Sequence, residues 1–283
     1  MRTILFTFLV TGFLLSSAQN NLQNYTPSIL FGKGDWEFKS FQNLYTQAKS
    51  FDADGGKVDN GVRDNFFTSI NQFLYGVNDQ INVGFDVWVK HSNTQQAGLS
   101  SQTGITGFGP KIKIAPLKSV PRLSLQSTLL FNLVDEPEGS ANKYFLETDA
   151  TLWLNQIFFD VPLNEKSQLF FQQAFWYRFV NDGSFAGNNF LQTQTSVFYS
   201  YFPTSRWTIY GMTEYFPTHY NSADDVEKAE AFFSYFVQSG VGTKYQLIPN
   251  LIELEFLYTN FWLGSEGQGA GETINLGIRV IRQ

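Results

Sequence analysis

Strict alternation of apolar and polar side chains is the feature of this sequence that most restricts its fold. In INVGFDVWVKH (81–91), apolar residues take every second position from Ile81 to Val89. Because successive side chains of a strand point to opposite faces, the pattern predicts a β-strand with one apolar face. That face can pack on the core of a soluble protein, or it can meet lipid in a transmembrane barrel.

The same alternation recurs about twelve times along the chain. Each segment has about the 9–11 residues that a tilted membrane strand needs. The predicted strands span 36–47, 65–75, 81–91, 105–115, 122–133, 144–156, 168–180, 190–202, 207–216, 232–247, 251–263 and 273–281. No segment with helical periodicity and no internal repeat accompanies them, so the chain is predicted to be all-β.

The connections between these strands fall into two classes that alternate along the chain. The short, turn-like class comprises 76–79, 116–121, 160–166, 203–206 and 248–250. The mostly longer, polar class comprises 50–64, 92–104, 135–143, 181–189, 217–231 and 264–272. Bacterial barrels alternate short periplasmic turns with long outer loops, whereas a soluble sandwich has no reason to do so. The sequence therefore predicts a transmembrane antiparallel up-and-down β-barrel of about 12 strands.

Composition agrees with this fold and excludes several functions. Aromatic residues make up 17% of the chain, yet the mean hydropathy is only -0.18, as expected when apolar and polar residues are interleaved. The net charge of -6 gives no support to nucleic-acid binding. With Cys 0 and His 2, neither thiolate chemistry nor a buried zinc site is expected. We therefore predict no cofactor, no metal site and no enzymatic activity.

The N-terminus carries an export signal. Residues 1–18, MRTILFTFLVTGFLLSSA, combine Arg2, an apolar run and small residues before a cleavage site expected after Ala18. The apolar run is shorter than the roughly 18–20 residues of a membrane-spanning helix. Residues 19–33 are predicted to form a periplasmic lead or a small plug, and 34–283 the barrel. We expect the barrel in the outer membrane of a Gram-negative bacterium, with a sequence style that suggests a Bacteroidota source.

If the apolar faces meet lipid, the polar faces line a lumen. Charges on the lipid side would cost about 2–4 kcal/mol each near the midplane, and this register turns nearly all of them inward. The predicted lumen residues are Asp86, Trp88, Lys90, Lys111, Lys113, Glu147, Asp149, Trp153, Arg178, Glu214, Glu253, Glu255 and Arg279. Hairpin geometry predicts that Glu147 and Asp149 lie level with Arg178, and that Glu253 and Glu255 lie near Arg279. Such pairs can select a solute, or they can neutralise each other in a narrow barrel.

Two other motifs were considered as sites of chemistry. His91-Ser92-Asn93 is similar to the His-x-Ser-Asn motif of outer-membrane phospholipases, but here the histidine and the serine are adjacent. Adjacent strand residues point to opposite faces, so the two side chains cannot easily share a proton. The aspartates of DADGGKVD (52–59) have calcium-like spacing, but Arg63 stands where a calcium loop needs glutamate. The sequence therefore predicts no catalytic residue and favours a solvated acidic loop.

One stretch resembles a known family. GITGFGPKIKIAPL (104–117), followed by RLSLQSTLLF (122–131), is similar to the glycine-rich strand and hairpin of predicted outer-membrane transporters named for the meta-pathway of phenol degradation. These barrels are distantly similar to the long-chain fatty-acid transporters. The resemblance implies uptake of hydrophobic or aromatic compounds. Gly107, Gly109 and Lys111 occupy the motif, which transfers no binding residue.

Three functions remain open from the sequence. The first is a transporter or narrow channel for small, hydrophobic or aromatic solutes, working by passive or facilitated diffusion. The second is a structural or adhesive barrel with partner-binding acidic loops, and the third is an outer-membrane hydrolase. Expected partners are outer-membrane lipid, a small-molecule solute and the barrel-assembly machinery. The oligomeric state is left open.

Overall fold

Twelve antiparallel strands close into one barrel. The computed structural model describes residues 27–93, 101–134, 146, 150–180, 189–220 and 234–282. Each strand pairs with the next along the chain, and the last pairs with the first. The strands are β1 (Trp36–Phe51), β2 (Lys57–Asn78), β3 (Ile81–Asn93), β4 (Gln102–Ile114), β5 (Leu123–Leu130), β6 (Ala150–Asn164), β7 (Ser167–Val180), β8 (Phe190–Thr204), β9 (Trp207–Tyr220), β10 (Ser234–Ile248), β11 (Ile252–Gly264) and β12 (Glu272–Arg282). The predicted fold class is confirmed.

The strand bounds differ most from the sequence prediction at β6. The prediction ended this strand at residue 156 and read the Asp-Val-Pro of 160–162 as a turn, because aspartate and proline are turn residues. In the structure β6 continues to Asn164, and the turn to β7 is short. The side chain of Asn164 accepts a hydrogen bond from the backbone N–H of Lys166 at 2.8 Å, which stabilises that turn.

The two faces of each strand meet different surroundings. On β3, Asp86 and Trp88 are buried, whereas Val83 and Phe85 are exposed on the outer wall. The exposed large side chains are mostly aliphatic and aromatic, and they include Trp207 and Trp262 near the strand ends. The outer wall therefore presents an apolar surface. No helix in the described part of the chain is long and apolar enough to cross a membrane.

Pro110 interrupts the ladder between β4 and β5. Regular pairing ends at Lys111 and Thr128, and Phe108 and Phe131 form the next bridge with two backbone hydrogen bonds. Proline has no N–H to donate, so the pair between them is missing. At the neighbouring position the strands approach so closely that a Cβ on Gly109 would lie 1.8 Å from the Leu129 carbonyl oxygen. The glycine of the sequence motif is therefore required by packing.

Candidate functional site

The inner wall contains most of the residues predicted to line the lumen. The residues placed there are Asp86, Trp88, Lys90, Lys111, Lys113, Arg178, Glu214, Glu253, Glu255 and Arg279. Glu147 and Asp149 lie outside the described residues. In the described register between β6 and β7, Arg178 pairs with Leu152. The guanidinium of Arg178 lies 5.0 Å from the ring centre of Phe190.

Trp153 is a correction to the predicted inner face of β6. Its side chain is 44% exposed on the outer wall, and its indole N–H donates to the Ser127 hydroxyl at 2.9 Å. Leu152 and Leu154 point inward instead. The sequence argument assumed that polar residues always face the lumen. That assumption fails here because the inner wall beside β6 is apolar.

An apolar cluster occupies the inner wall from β3 to β7. Its buried members are Trp88, Leu130, Leu152, Leu154 and Ala174. The rings of Trp88 and Trp176 meet edge to face at 5.7 Å between centroids. This side of the lumen is packed in the manner of a protein core and offers little to a polar solute.

A charge network lies on the other side of the barrel, near the start of β1 and β11 and the end of β12, where the short turns are. The Arg279 Nε donates to Glu37 Oε2 at 2.5 Å, and Lys39 Nζ lies 2.9 Å from Glu37 Oε1. The Arg279 Nη1 is 3.8 Å from Glu253 Oε1, as hairpin geometry predicts. Glu255 does not join Arg279. It accepts a hydrogen bond from the Tyr210 hydroxyl at 2.5 Å and lies 3.4 Å from Lys244 Nζ.

A second ion pair joins Asp86 and Lys111 with both side chains fully buried. Gln72 Nε2 also donates to Asp86 Oδ2 at 3.0 Å. These residues link β2, β3 and β4 across the lumen side of the sheet. A buried pair of this kind needs both partners, because each charge alone would be costly to keep from water.

Glu214 has a different environment in the middle of β9. Its carboxylate accepts hydrogen bonds from Gln194 at 2.5 Å, Ser196 at 2.9 Å and Gln238 at 2.7 Å. Thr259 donates to the Gln238 amide oxygen at 2.6 Å and so extends the network to β11. All three groups that bond to Glu214 are uncharged, so hydrogen bonds rather than an ion pair hold this carboxylate.

The described residues before β1 lie against the inner wall at the end of the barrel that carries the short turns. The Lys113 ammonium donates to the carbonyl oxygens of Pro27 and Ile29 at 2.6 and 2.7 Å. Asn82 exchanges two hydrogen bonds with the Phe31 backbone, at 2.9 and 2.8 Å. The Phe31 side chain is buried against Ile281. We call Pro27–Phe31 the N-terminal segment.

A cavity of about 290 Å³ lies in the lumen beside this segment. Pro27 forms part of its wall, and most of the other described lining residues are charged, amide or aromatic, with Ser200, Thr208 and Leu257 beside them. Three lysines and one glutamate line it, namely Lys39, Lys113, Lys244 and Glu255. This combination of ring faces and ammonium groups makes the cavity the candidate functional site.

Some residues of this site were missed by the sequence analysis. Glu37 and Lys39 stand two positions apart on β1, so alternation places them on one face, but Phe41 and Tyr45 on that face blurred the polar pattern. Lys244 follows two glycines at the same spacing on β10. The contact of the N-terminal segment with Lys113 left no local signal, because it joins positions 84 and 86 residues apart.

The residues considered for catalysis and for calcium lie outside this site. His91 points outward and its Nδ1 is 2.6 Å from the Thr103 hydroxyl, whereas Ser92 is buried on the inner wall. Asp52 accepts backbone hydrogen bonds from Asp54 and Gly56 at 3.0 and 2.6 Å, which closes a loop turn. Among the described residues, no three histidine or acidic side chains converge to hold a metal ion.

Comparison with known proteins defines the fold class. No family model matches the sequence, and no curated protein sequence matches it either. Among solved structures, an outer membrane channel from Pseudomonas putida F1 is similar, with a TM-score of 0.68 and 9% identity over 91% of this chain and 99% of that chain. The β domain of the Bordetella autotransporter BrkA has a TM-score of 0.54 and 8% identity, over 88% and 99% of the two chains. The NanC porin has a TM-score of 0.50 and 8% identity, over 86% and 98%.

At identities this low, the likeness shows the fold and not the function. The shared architecture gives this protein the fold of outer-membrane β-barrels. The fold implied by the resemblance of residues 104–131 is thereby confirmed. Because barrels of this class include channels and an autotransporter domain, the function has to be argued from the lumen.

Proposed function

We propose that this protein is an outer-membrane channel that passes small solutes by passive or facilitated diffusion. The observation that carries the proposal is the lumen cavity, where charged groups and ring faces line one space inside a closed barrel. The similar structure from Pseudomonas putida is itself described as an outer membrane channel, which supports the same role here. The aromatic lining favours solutes with an apolar or aromatic part, as the sequence resemblance also implies.

The N-terminal segment acts in this proposal as the small plug of the channel. Its carbonyl oxygens bind Lys113, Ser28 donates to the buried carboxylate of Asp160, and its Phe31 is held by Asn82. These contacts place backbone across the periplasmic side of the cavity. A solute that crosses the barrel must displace the segment or pass beside it.

A structural role is the second candidate function. It is favoured by the apolar cluster, which packs on the inner wall between β3 and β7 and narrows any path through the barrel. In that case the barrel would serve as a scaffold for its outer loops, whose partner-binding residues lie largely outside the described ranges. Conductance separates the two functions, because a scaffold has no reason to pass ions.

The proposal also covers the environment of the barrel in the membrane. The protein acts without catalysis, contacts outer-membrane lipid through its apolar outer wall, and is inserted by the barrel-assembly machinery. Export by the signal peptide, cleavage after Ala18 and a Bacteroidota source stay predictions. The oligomeric state is open.

The test is single-channel conductance of the purified protein in planar bilayers. Wild-type protein should give small, discrete steps. Replacing Pro27–Phe31 with five glycine and serine residues keeps the chain length but removes Phe31 and the proline, and we expect steps at least about twofold larger. The matched control replaces the exposed turn residues 116–120 in the same way. Silent bilayers with correctly folded protein of both kinds would favour the structural role.

A further inference from the structure

The cavity wall contains a row of four aromatic rings, one from each of four neighbouring strands. Phe158 on β6 stacks with Phe170 on β7 at 6.0 Å between ring centroids, and Phe170 meets Phe198 on β8 at 5.4 Å. Phe198 then meets Tyr210 on β9 at 6.0 Å. All four rings line the cavity, so they form one continuous aromatic wall. We call this set the aromatic row.

A lysine stands at each end of the aromatic row. The Lys113 ammonium lies 5.7 Å from the ring centre of Phe158, and the Lys244 ammonium lies 5.5 Å from the ring centre of Tyr210. Both distances are in the range of cation–π contacts. Both lysines also line the cavity, so the ring wall is bounded on two sides by positive charge.

The ammonium group of Lys113 has one hydrogen-bond donor left for a ligand. A lysine ammonium has three donors, and two of them bind the carbonyl oxygens of Pro27 and Ile29. Both of these partners are neutral. Within the described residues no carboxylate lies at ion-pair distance from Lys113, and the side chain is buried. An anion in the cavity would give the Lys113 ammonium a charged hydrogen-bond partner.

The positive charge of Lys244 is also only partly balanced by a carboxylate. Its nearest carboxylate oxygen, on Glu255, is 3.4 Å away, whereas the Tyr210 hydroxyl approaches the other oxygen of Glu255 to 2.5 Å. Across the cavity Lys39 adds a third ammonium group, 2.9 Å from Glu37. Among the described lining residues, three ammonium groups therefore face a single carboxylate.

We propose that this cavity binds a small aromatic carboxylate, with its ring against the aromatic row and its carboxylate at Lys244, at the β9 end of that row. This inference deepens the proposed channel function and rests on it for its physiological meaning. A neutral hydrocarbon would bury the ammonium groups further without pairing them, which is unfavourable. An acidic sugar would pair the charges but would leave the rings without an apolar partner. The volume of about 290 Å³ is small for a ligand pocket and limits the ligand to one ring.

Equilibrium binding to the full-length mature protein in detergent tests the inference, with benzoate as the probe and calorimetry as the readout. Benzyl alcohol has the same ring without the charge, and glucuronate has the charge without an aromatic ring. We expect benzoate to bind at least about tenfold more tightly than either. Equal binding of benzoate and benzyl alcohol, equal binding of glucuronate, or no benzoate binding would each overturn the proposal.

Two variants locate the site. Lys244→Met should weaken benzoate binding by about tenfold or more, and Lys244→Arg should retain most of it, because the charge is kept. Lys118→Met removes an equal charge from an exposed turn outside the cavity and should bind as wild type does. Each variant is first checked for the heat-sensitive gel migration of a folded barrel. An unchanged affinity for folded Lys244→Met would overturn the assignment.

The result is separable from the channel proposal. A protein that conducts ions but does not bind benzoate keeps the channel function and loses this site. A protein that binds benzoate at Lys244 but gives no conductance keeps the site and loses the channel function.

Discussion

The inner wall of the barrel has two kinds of region, which differ in the polarity of their side chains. One part of the inner wall between β3 and β7 is apolar, and Leu130, Leu152 and Ala174 pack there with almost no exposed surface. From β9 to β12, and on into β1, the same inward positions carry Glu214, Arg279 and other charged or amide side chains. One barrel therefore contains a core-like cluster, which fills space, and polar and aromatic positions on many strands, among them Lys113, Gln156 and Phe170, which line the cavity. The difference separates the residues that hold the barrel together from those that can meet a solute.

The largest effect is expected at the buried pair of Asp86 and Lys111, next to Trp88 of the core-like cluster. Asp86→Ala leaves the ammonium of Lys111 buried without its partner, which should cost about 3–5 kcal/mol in the free energy of unfolding. Urea unfolding in phospholipid vesicles, followed by tryptophan fluorescence, measures this cost. The double variant Asp86→Leu with Lys111→Met should recover most of the loss. If the double variant is as unstable as the single one, the cost comes from packing and not from the stranded charge.

The next effect tests the core-like cluster by itself. Leu152→Ala opens a cavity among Trp88, Leu130 and Ala174, so it should lower the free energy of unfolding by about 2–4 kcal/mol. The matched control is Leu254→Ala on the outer wall, where Leu254 is 41% exposed and lipid chains can fill the space. We expect the control to lose about 1 kcal/mol or less, because that site can collapse. Equal losses in vesicles would mean that the inner cluster is not packed as a core.

The smallest effect concerns Trp153, which the structure places outside. Trp153→Phe removes one hydrogen bond to Ser127 and should change stability by only about 0.5–1.5 kcal/mol. Its position is measured better by quenching with brominated lipid. Trp153→Phe should lower the quenchable share of the fluorescence, whereas Trp88→Phe, on the inner wall, should raise it. The opposite pair of results would mean that Trp153 faces the lumen.

The architecture was readable from local patterns. Period-two alternation predicted the number of strands, and the regular alternation of short and long connections indicated a barrel. The inward positions of Asp86, Lys111 and Arg279 follow from the cost of charge in lipid, which acts on each strand separately. The pairing of Glu253 with Arg279 follows from one hairpin, so a local argument reached it too.

The candidate site was less predictable. The alternation rule placed Trp153 on the inner wall, whereas the structure places it on the outer wall. The rule holds only where the inner wall is polar. The aromatic row joins four strands, and the N-terminal segment meets Lys113 across more than eighty residues. No spacing within one strand or one hairpin encodes such contacts. They depend on closure of the sheet, which brings the inner faces of distant strands together.

The sequence by itself determined that this chain forms a closed sheet with an apolar outer wall, because lipid imposes the same demand on every strand. Only the tertiary structure decided which inward side chains touch, since closure sets the register around the barrel and the space left inside it. That is why Lys113 could be assigned to the lumen from its alternation alone. Its place between the backbone of the N-terminal segment, the ring of Phe158 and an open cavity became visible only in the folded barrel.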